Sequence, residues 1–356
     1  MRNSSGIILA PLGAVYGGVM RARRALYRSG VLPTHRIVSP VISVGNMTTG
    51  GTGKTPLVDW VARAVEQEGR LVCVLSRGYK RADASKRVVV SDSKRILADV
   101  KEAGDEPFLL AEMLLGKASV ISDADRVAAA HWAEENLGCD AFILDDGFQH
   151  LRLARDLDIV AIDATNPWGR GKLLPRGRLR EPLKELARAD CVIITRSEQV
   201  EDISSLRDEI RRWNDRCLFV SSRTRTSALR LIARPLDGPP DDPLAQSQIP
   251  PQPLLKSVAA FCAIGNPSAF FNQIRRDSHE LVYSRSFVDH HDYRQSDITE
   301  TLSQAKRAGA EIFMTTAKDE VKLRSLHVDL PCYVLEISLE FDLEEELRAL
   351  IRKAVR

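Results

Sequence analysis

The chain has 356 residues, of which 51 are Lys or Arg and 48 are Asp or Glu, so its formal net charge is +3. Such a balance excludes a protein that wraps nucleic acid through a dense basic surface. A hydrophobic fraction of 44% with 28% charged residues excludes both a disordered chain and a polytopic membrane fold. The six cysteines lie far apart in the sequence, which indicates reduced core residues of a cytosolic protein.

The N-terminal segment carries an apolar stretch, Ile7 to Met20, which as a helix spans about 21 Å and is too short for a bilayer core of roughly 30 Å. A secretory signal peptide is disfavoured because no small-residue cleavage site follows. Apolar residues at helical spacing beside arginines predict a helix in a membrane interface, and a helix packed on its own domain is the alternative. The two faces contain Leu12, Val15, Tyr16, Val19, Leu26 and Tyr27 on one side and Arg21, Arg24 and Arg28 on the other.

Short apolar strands alternate with helices through the central part of the chain. A strand over 37–46 runs into a glycine-rich loop, and an amphipathic helix follows over 56–68. This alternation predicts a parallel sheet covered by helices on both faces. Further strands are predicted over 70–75, 118–121, 141–144, 159–162 and 191–195.

The glycine-rich loop, residues 48–55, reads TTGGTGKT and stands between a strand and a helix, as a P-loop does. Its glycines let backbone N–H groups converge on phosphate oxygens, and the helix N-terminus adds partial positive charge. Lys54 would reach the β- and γ-phosphates, and the Thr55 hydroxyl would take a Mg²⁺ position. The pattern departs from Walker A only at its first glycine. It predicts a nucleoside triphosphate site formed by Thr48, Thr49, Gly50, Gly51, Thr52, Gly53, Lys54 and Thr55.

A pair of acidic residues, Asp145 and Asp146, follows the four apolar residues 141–144. Acids at the end of a buried strand form a Walker B pattern, in which a carboxylate holds Mg²⁺ directly or through water. An acidic helix cap or turn is the alternative interpretation.

A proline-rich stretch over 235–253 contains seven of the 17 prolines and is typical of a linker or surface insertion. Strands predicted over 257–263, 312–315 and 332–335 follow it. We therefore predict an α/β protein whose P-loop NTPase-type parallel sheet is joined to a second, smaller α/β domain. The predicted segments are an N-terminal amphipathic helix (1–30), the P-loop kinase domain (31–234), the linker (235–255) and the C-terminal domain (256–356).

Several further motifs occur in a fixed order along the chain. They are SRGY at 76–79, GDEP at 104–107, DDGFQH at 145–150, LLPRGRLREP at 173–182, GNP at 265–267, DHH at 289–291 and TAKD at 316–319. In this combination the chain resembles the tetraacyldisaccharide 4'-kinases, the lipid A 4'-kinases of Gram-negative bacteria, over residues 12–322. Thr48 is usual in that family, whereas Arg170, Arg176 and Ala317 replace its common Asn, Ala and Glu.

The resemblance implies transfer of the γ-phosphoryl of ATP, with Mg²⁺, to the 4'-hydroxyl of an acylated glucosamine disaccharide 1-phosphate. That lipid acceptor lies in the inner membrane, which favours the membrane-interface interpretation of the N-terminal helix. We expect a peripheral protein at the cytoplasmic face of the inner membrane, with no nucleic acid and no obligatory protein partner.

The resemblance also implies roles for individual residues. Asp105 and His290 would form a catalytic pair that accepts the hydroxyl proton, although Asp105 alone is more typical of a helix N-cap. Glu106 would join Thr55, Asp145 and Asp146 at the metal. Residues that would contact the phosphates or the sugar are Arg77, Tyr79, Arg126, Gln149, His150, Arg180 and Glu181. Lys318 and Asp319 match a motif to which no role is assigned.

Two other classes of protein fit parts of the pattern. A membrane-recruited switch ATPase also has a GGxGKT loop, but its signature lysine would stand at position 49, which is Thr49 here. A nucleotide-binding scaffold without chemistry would leave Asp105, His290 and the second domain unexplained. The kinase interpretation is therefore preferred.

Overall fold

The computed structural model describes the backbone of residues 5–233 and 256–356, and the side chains of 11–232 and 256–356. The predicted linker, 235–255, lies outside the described residues. The chain divides into two compact units, which are Met1–Arg223 with Glu340–Arg356, and Thr224–Leu339. The predicted boundaries differ from this division, since 224–233 belongs to the second unit and the C-terminal 340–356 returns to the first.

The first unit contains a parallel sheet in the order β8-β7-β6-β1-β5-β2-β4-β3, in which only the edge strand β3 runs antiparallel to its neighbour. Its strands are β1 (Val41–Asn46), β2 (Val72–Ser76), β3 (Val88–Ser91), β4 (Ala118–Ser122), β5 (Ala141–Asp145), β6 (Leu157–Asp163), β7 (Cys191–Thr195) and the start of β8 (Leu218–Ala233). The predicted strand over 37–46 begins only at Val41, because Pro40 before it has no N–H for a sheet ladder.

Helices cover both faces of this sheet, as the continuous apolar strands require. The helices of the first unit that precede β8 are α1 (Ser5–Arg28), α2 (Lys54–Gln67), α3 (Val100–Ala103), α4 (Asp105–Met113), α5 (Arg126–Leu137) and α6 (Ser204–Arg211). Helix α2 buries Leu57, Val58, Val61 and Val65, the spacing expected of one helical face. All six cysteines are free and buried, in agreement with the prediction.

The second unit is a smaller α/β element whose strands run parallel in the order β10-β9-β11-β12. Its elements are β9 (Val258–Cys262), α7 (Pro267–Arg276), β10 (Leu281–Ser286), α8 (Gln295–Arg307), β11 (Ile312–Thr316), α9 (Ala317–Leu323) and β12 (Cys332–Phe341). The chain then returns to the first unit as α10 (Glu344–Val355), where Arg348 lies over the Trp60 ring of α2 at 4.9 Å.

Candidate active site

The phosphate-binding loop joins β1 to α2 at the carboxyl edge of the sheet. Since β1 lies between β5 and β6, the ends of several parallel strands surround the loop. Gly53, the residue before α2, has φ +78°, a left-handed conformation that glycine adopts at little cost. Glycine has no side chain to cap the helix, so the first N–H groups of α2 are available for an anion.

Side chains from neighbouring strands hold this loop in place. Asn46 Nδ2 donates to Thr52 Oγ1 at 2.9 Å, and Thr195 Oγ1, at the end of β7, donates to the Thr52 carbonyl at 2.9 Å. Arg196 Nη1 donates to the Gly51 carbonyl at 2.9 Å and pairs with Asp163. Sequence reasoning missed the supporting role of these residues. Their signal was their position at or just after the ends of parallel strands.

The segment 173–182 lies against the start of the loop. Thr49 N donates to the Arg178 carbonyl and Arg180 N to the Met47 carbonyl, each at 2.8 Å. Between these bonds Thr48 forms an antiparallel bridge with Leu179. Such an extended pairing needs no glycine, which explains physically why threonine replaces the first Walker A glycine.

Opposite charges converge on Asp146, the residue that follows β5. Lys54 Nζ lies 3.0 Å from Asp146 Oδ1, and Arg180 Nη1 lies 2.5 Å from Asp146 Oδ2. Although burial opposes ionisation, Lys54 and Arg180 hold the pKa of Asp146 well below its usual range. Asp146 has φ +54°, a conformation that is uncommon outside glycine and is often found at functional sites.

The pKa of Asp145, the last residue of β5, is shifted in the opposite direction. Its carboxylate accepts a hydrogen bond from Ser76 Oγ at 2.8 Å, yet burial, together with the nearby charges of Glu106 and Asp146, raises its pKa to about 6. A cation bound here would offset the repulsion between this buried carboxylate and its two acidic neighbours. This observation fits a Mg²⁺ position here.

The donor set agrees with the same ion. Mg²⁺ is usually held by one or two carboxylates, with waters and substrate phosphates completing its octahedron. Over residues 11–232 and 256–356, no cluster of three or more His, Cys, Asp or Glu side chains is arranged to hold a metal by itself.

Asp105 is the first residue of α4 and is buried, with Oδ1 accepting from the Glu106 N–H at 3.0 Å. Gly104 before it has φ +90°, and a side chain at that position would meet the Tyr79 carbonyl at 2.9 Å. Asp105 belongs to the first unit and His290 to the second. Their pairing stays a prediction.

His290 lies in the second unit, in the loop between β10 and α8, with φ +60°. Its Nε2 is 3.2 Å from Lys318 Nζ and 3.8 Å from Asp289 Oδ1. The adjacent His291 has a different environment, since it stacks on Phe287 and its Nε2 lies 3.0 Å from Asp297 Oδ2. The two neighbouring histidines are therefore not equivalent.

Of the predicted substrate residues, four lie close to the acidic pair. Arg126 is buried, with its guanidinium 3.5 Å from both His150 Nδ1 and the Asp145 carbonyl. Burial and the charge of Arg126 lower the pKa of His150 to about 3, which keeps its ring neutral. Gln149 donates to the Asn46 carbonyl at 2.9 Å and its Oε1 accepts from Arg180 at 3.3 Å.

The remaining three have other surroundings. Arg77 and Tyr79 follow β2 and are exposed. Glu181 is buried, and Arg188 Nη2 lies 2.5 Å from its carboxylate while the same guanidinium lies over the Phe148 ring at 4.1 Å. The geometry thus gives Glu181 a structural partner.

Helix α1 packs against other segments of the first unit, and part of the helix surface that was predicted to face lipid lies in this contact. Tyr16 Oη donates to the Arg180 carbonyl at 3.0 Å, and Arg24 pairs with Glu185. The membrane-interface prediction is therefore corrected for Tyr16 and Arg24, because each of these side chains has a polar partner on its own domain. None of the helices in the described part of the chain is long and apolar enough to cross a membrane. Side chains that stay exposed on α1 include Leu12, Val15, Val19, Arg21, Leu26 and Arg28.

Comparison with known proteins gives consistent matches. The model of the tetraacyldisaccharide-1-P 4'-kinase family matches residues 5–356. The tetraacyldisaccharide 4'-kinase of Halothermothrix orenii is 36% identical over 370 residues, covering 97% of this chain and 92% of the relative. That of Desulfotalea psychrophila is 37% identical over 338 residues, covering 93% of each. A crystal structure of LpxK from Aquifex aeolicus in complex with ATP superposes with a TM-score of 0.74 at 30% identity, over 99% of both chains.

Proposed function

Because the chain belongs to the tetraacyldisaccharide-1-P 4'-kinase family, we propose that the site at the carboxyl edge of its first sheet performs the family's phosphoryl transfer. The chain is an ATP-dependent kinase of lipid A biosynthesis, and it phosphorylates the 4' position of a tetraacyldisaccharide 1-phosphate. The observation that carries the proposed site is the convergence of Lys54 and Arg180 on Asp146, beside the loop over 48–55.

In phosphoryl transfer, the protein mainly positions the reactants and neutralises charge. We propose that Lys54 and Arg180, which pair with Asp146, turn to the phosphates of ATP when it binds. The backbone N–H groups of 48–55 would hold the same phosphates. A bound Mg²⁺ supplies further positive charge to the phosphate oxygens, and its proposed protein ligands are Thr55, Glu106, Asp145 and Asp146.

The acceptor hydroxyl must lose its proton as it attacks, so a base within hydrogen-bond reach is required. We propose Asp105 and His290 as the pair for this step, since a carboxylate and an imidazole joined by a hydrogen bond orient each other, and one of the two then accepts the hydroxyl proton. Burial of Asp105 and the left-handed backbone of His290 support the choice, because both are constrained in ways that an ordinary surface residue is not.

We propose that polar side chains beside the acidic pair, together with two that follow β2, recognise the lipid's sugar and 1-phosphate. Arginines match phosphate bidentately, and the neutral His150 ring is able to donate or accept a hydrogen bond. The proposed group comprises Arg77, Tyr79, Arg126, Gln149 and His150.

We propose that α1 docks at the cytoplasmic face of the inner membrane. Leu12, Val15 and Val19 are 52%, 64% and 58% exposed, which is unusual for adjacent apolar side chains on a single helix face. Arg21 and Arg28 are exposed beside them. Two contributions would hold such a helix in the interface. One is the burial of its apolar side chains, and the other is the attraction of its arginines to anionic headgroups, about 1 kcal/mol for each arginine.

The kinase assignment is tested with labelled ATP, with and without acylated disaccharide 1-phosphate. We expect label in the lipid only when the acceptor is present, and loss of that product in Lys54→Ala. Hydrolysis of ATP without any labelled lipid would instead support a nucleotide switch.

Docking is tested by sedimentation with anionic vesicles at low and high salt. We expect Arg21→Glu with Arg28→Glu to release the protein at low salt, while the apparent KM for ATP stays within about twofold of wild type. The matched control is Arg212→Glu with Arg216→Glu, which changes two exposed arginines elsewhere on the first unit. Equal retention of both double variants would argue that α1 serves only to pack on its own domain.

A further inference from the structure

The motif over 316–319 has no role in the reaction as described so far. It lies in the second unit, where β11 ends and α9 begins. Thr316 Oγ1 accepts from the Asp319 N–H at 3.2 Å and donates to Asp319 Oδ2 at 2.7 Å, which is the geometry of a helix N-cap. This cap fixes Lys318 and Asp319 in the first turn of α9.

Asp319 is fully buried and collects hydrogen bonds from two other segments. Its two carboxylate oxygens accept from the Ala263 N–H at 3.1 and 3.2 Å, and Oδ1 also accepts from Tyr293 Oη at 3.1 Å. The Ala263 carbonyl in turn accepts from the His290 N–H at 3.1 Å. One carboxylate therefore ties the end of β9 to the segment that carries His290.

Lys318 acts on the ring of His290. Its Nζ lies 3.2 Å from His290 Nε2 and 3.4 Å from Asp289 Oδ1, and the side chain is only 14% exposed. An ammonium group has hydrogen-bond donors and no acceptor. The ring nitrogen that faces it must therefore offer its lone pair, so the ring proton of a neutral His290 lies on Nδ1.

The backbone of His290 also needs support. A non-glycine residue at φ +60° is less stable than in an ordinary conformation, and it persists only where its surroundings hold it. The bond to Ala263 and the contact with Lys318 are such supports.

We propose that Lys318 and Asp319 are positioning residues for His290: Asp319 fixes the segment on which the histidine stands, and Lys318 fixes its ring with the proton on Nδ1. This inference rests on the catalytic role proposed above for His290. The selected tautomer presents an Nδ1–H donor, which is what a carboxylate such as Asp105 requires. Because Lys318 engages the Nε2 lone pair, the carboxylate is then the member of the pair that accepts the hydroxyl proton.

The first test measures the ring tautomer directly, in the full-length protein labelled with ¹⁵N-histidine. Long-range ¹H–¹⁵N NMR distinguishes a protonated ring nitrogen from one with a lone pair, and His290→Gln assigns the signals. We expect His290 in the wild type to carry its proton on Nδ1. In Lys318→Met we expect both tautomers, and in Lys318→Arg recovery of the wild-type signals, since a guanidinium also only donates.

The control is Lys322→Met, which removes a second lysine of the same helix, 3.4 Å from the His291 carbonyl. We expect it to leave the His290 signals unchanged. Wild-type signals in Lys318→Met, or an Nε2-protonated ring in the wild type, would overturn the proposal.

The second test is kinetic. If the productive tautomer falls to about a tenth of the population, kcat in Lys318→Met falls about tenfold while KM for ATP changes less than about twofold. A tautomer change without any loss of kcat would refute a positioning role. If the wild type phosphorylated no lipid, the proposed function would fail, whereas the NMR result would still decide how Lys318 acts on the ring.

Asp319→Asn provides a separate check on the carboxylate. We expect faster amide hydrogen exchange at His290 and Ala263, because one of the acceptor groups that joins them is weakened. Unchanged exchange and kcat in a folded Asp319→Asn protein would contradict the role of Asp319. The two Lys318 variants keep the proposal testable if this variant fails to fold.

Discussion

Replacing Asp145 by asparagine should stabilise the ligand-free protein even as it removes activity. The pKa of Asp145 rises from 3.8 to about 6 on folding, first through burial and then through Glu106 and Asp146. One pKa unit corresponds to about 1.4 kcal/mol, so the ionised carboxylate destabilises the folded first unit by about 3 kcal/mol. Asparagine has nearly the same shape, and its carbonyl still accepts from Ser76 Oγ.

The sign of the pH dependence follows from proton binding. Below about pH 4 the folded and unfolded chains both carry the proton, and Asp145 has no effect. Between about pH 4 and 6 only the folded chain keeps it, so stability falls as the pH rises. The stabilisation by Asp145→Asn should therefore be about 3 kcal/mol at pH 8 and about half of that at pH 5.

The assay is urea unfolding followed by tryptophan fluorescence, without nucleotide or Mg²⁺. All four tryptophans, Trp60, Trp132, Trp168 and Trp213, lie in the first unit, so the signal reports on the unit that contains Asp145. Ser76→Ala is a control, since it removes the hydrogen bond and keeps the charge. An Asp145→Asn protein no more stable than wild type at pH 8, or equally stabilised at both pH values, would refute the reasoning.

Other changes at the site have equally definite outcomes. Lys54→Ala should lower kcat by at least about 10²-fold with an unchanged circular dichroism spectrum, and near-normal turnover would argue against the proposed phosphate loop. Asp105→Ala and His290→Ala should each lower kcat by about 10²–10⁴-fold, and steady-state kinetics of the double variant should show less than the product of the two losses; a fully multiplicative loss would mean separate roles. Glu181→Gln should lower the urea stability of the first unit by about 2 kcal/mol, because it removes one of the two carboxylates that pair with the buried Arg188 and leaves Glu185 at 3.6 Å. A rise in KM for the lipid acceptor at unchanged stability would instead show that Glu181 contacts substrate.

The nucleotide half of the candidate site was predictable because its signals are local. A glycine-rich run between an apolar strand and an amphipathic helix admits few structures other than a phosphate loop. Acids directly after an apolar strand must lie at the carboxyl edge of a parallel sheet, which is the edge where β1 also ends. The positions of Lys54, Asp145 and Asp146 follow from these two patterns.

Other features depend on contacts between residues far apart in the chain. Periodicity placed Tyr16 and Arg24 on the correct helix, but their partners, the Arg180 carbonyl and Glu185, lie more than 150 residues away. In the same way nothing in the sequence of 340–356 indicates that α10 returns to the first unit. Hydrophobic patterning defines which face of a helix is apolar, and it carries no information on which surface that face meets.

The left-handed backbone at Asp146 and His290 was also beyond sequence reasoning, since neither residue is a glycine. Each conformation is less favourable than an ordinary one, and each residue has cationic partners that hold it: Lys54 and Arg180 contact Asp146, and Lys318 contacts His290. At both places a lysine reaches the functional side chain of a constrained residue. The same arrangement therefore appears in both units: a lysine contact accompanies a backbone conformation that the residue would not ordinarily adopt.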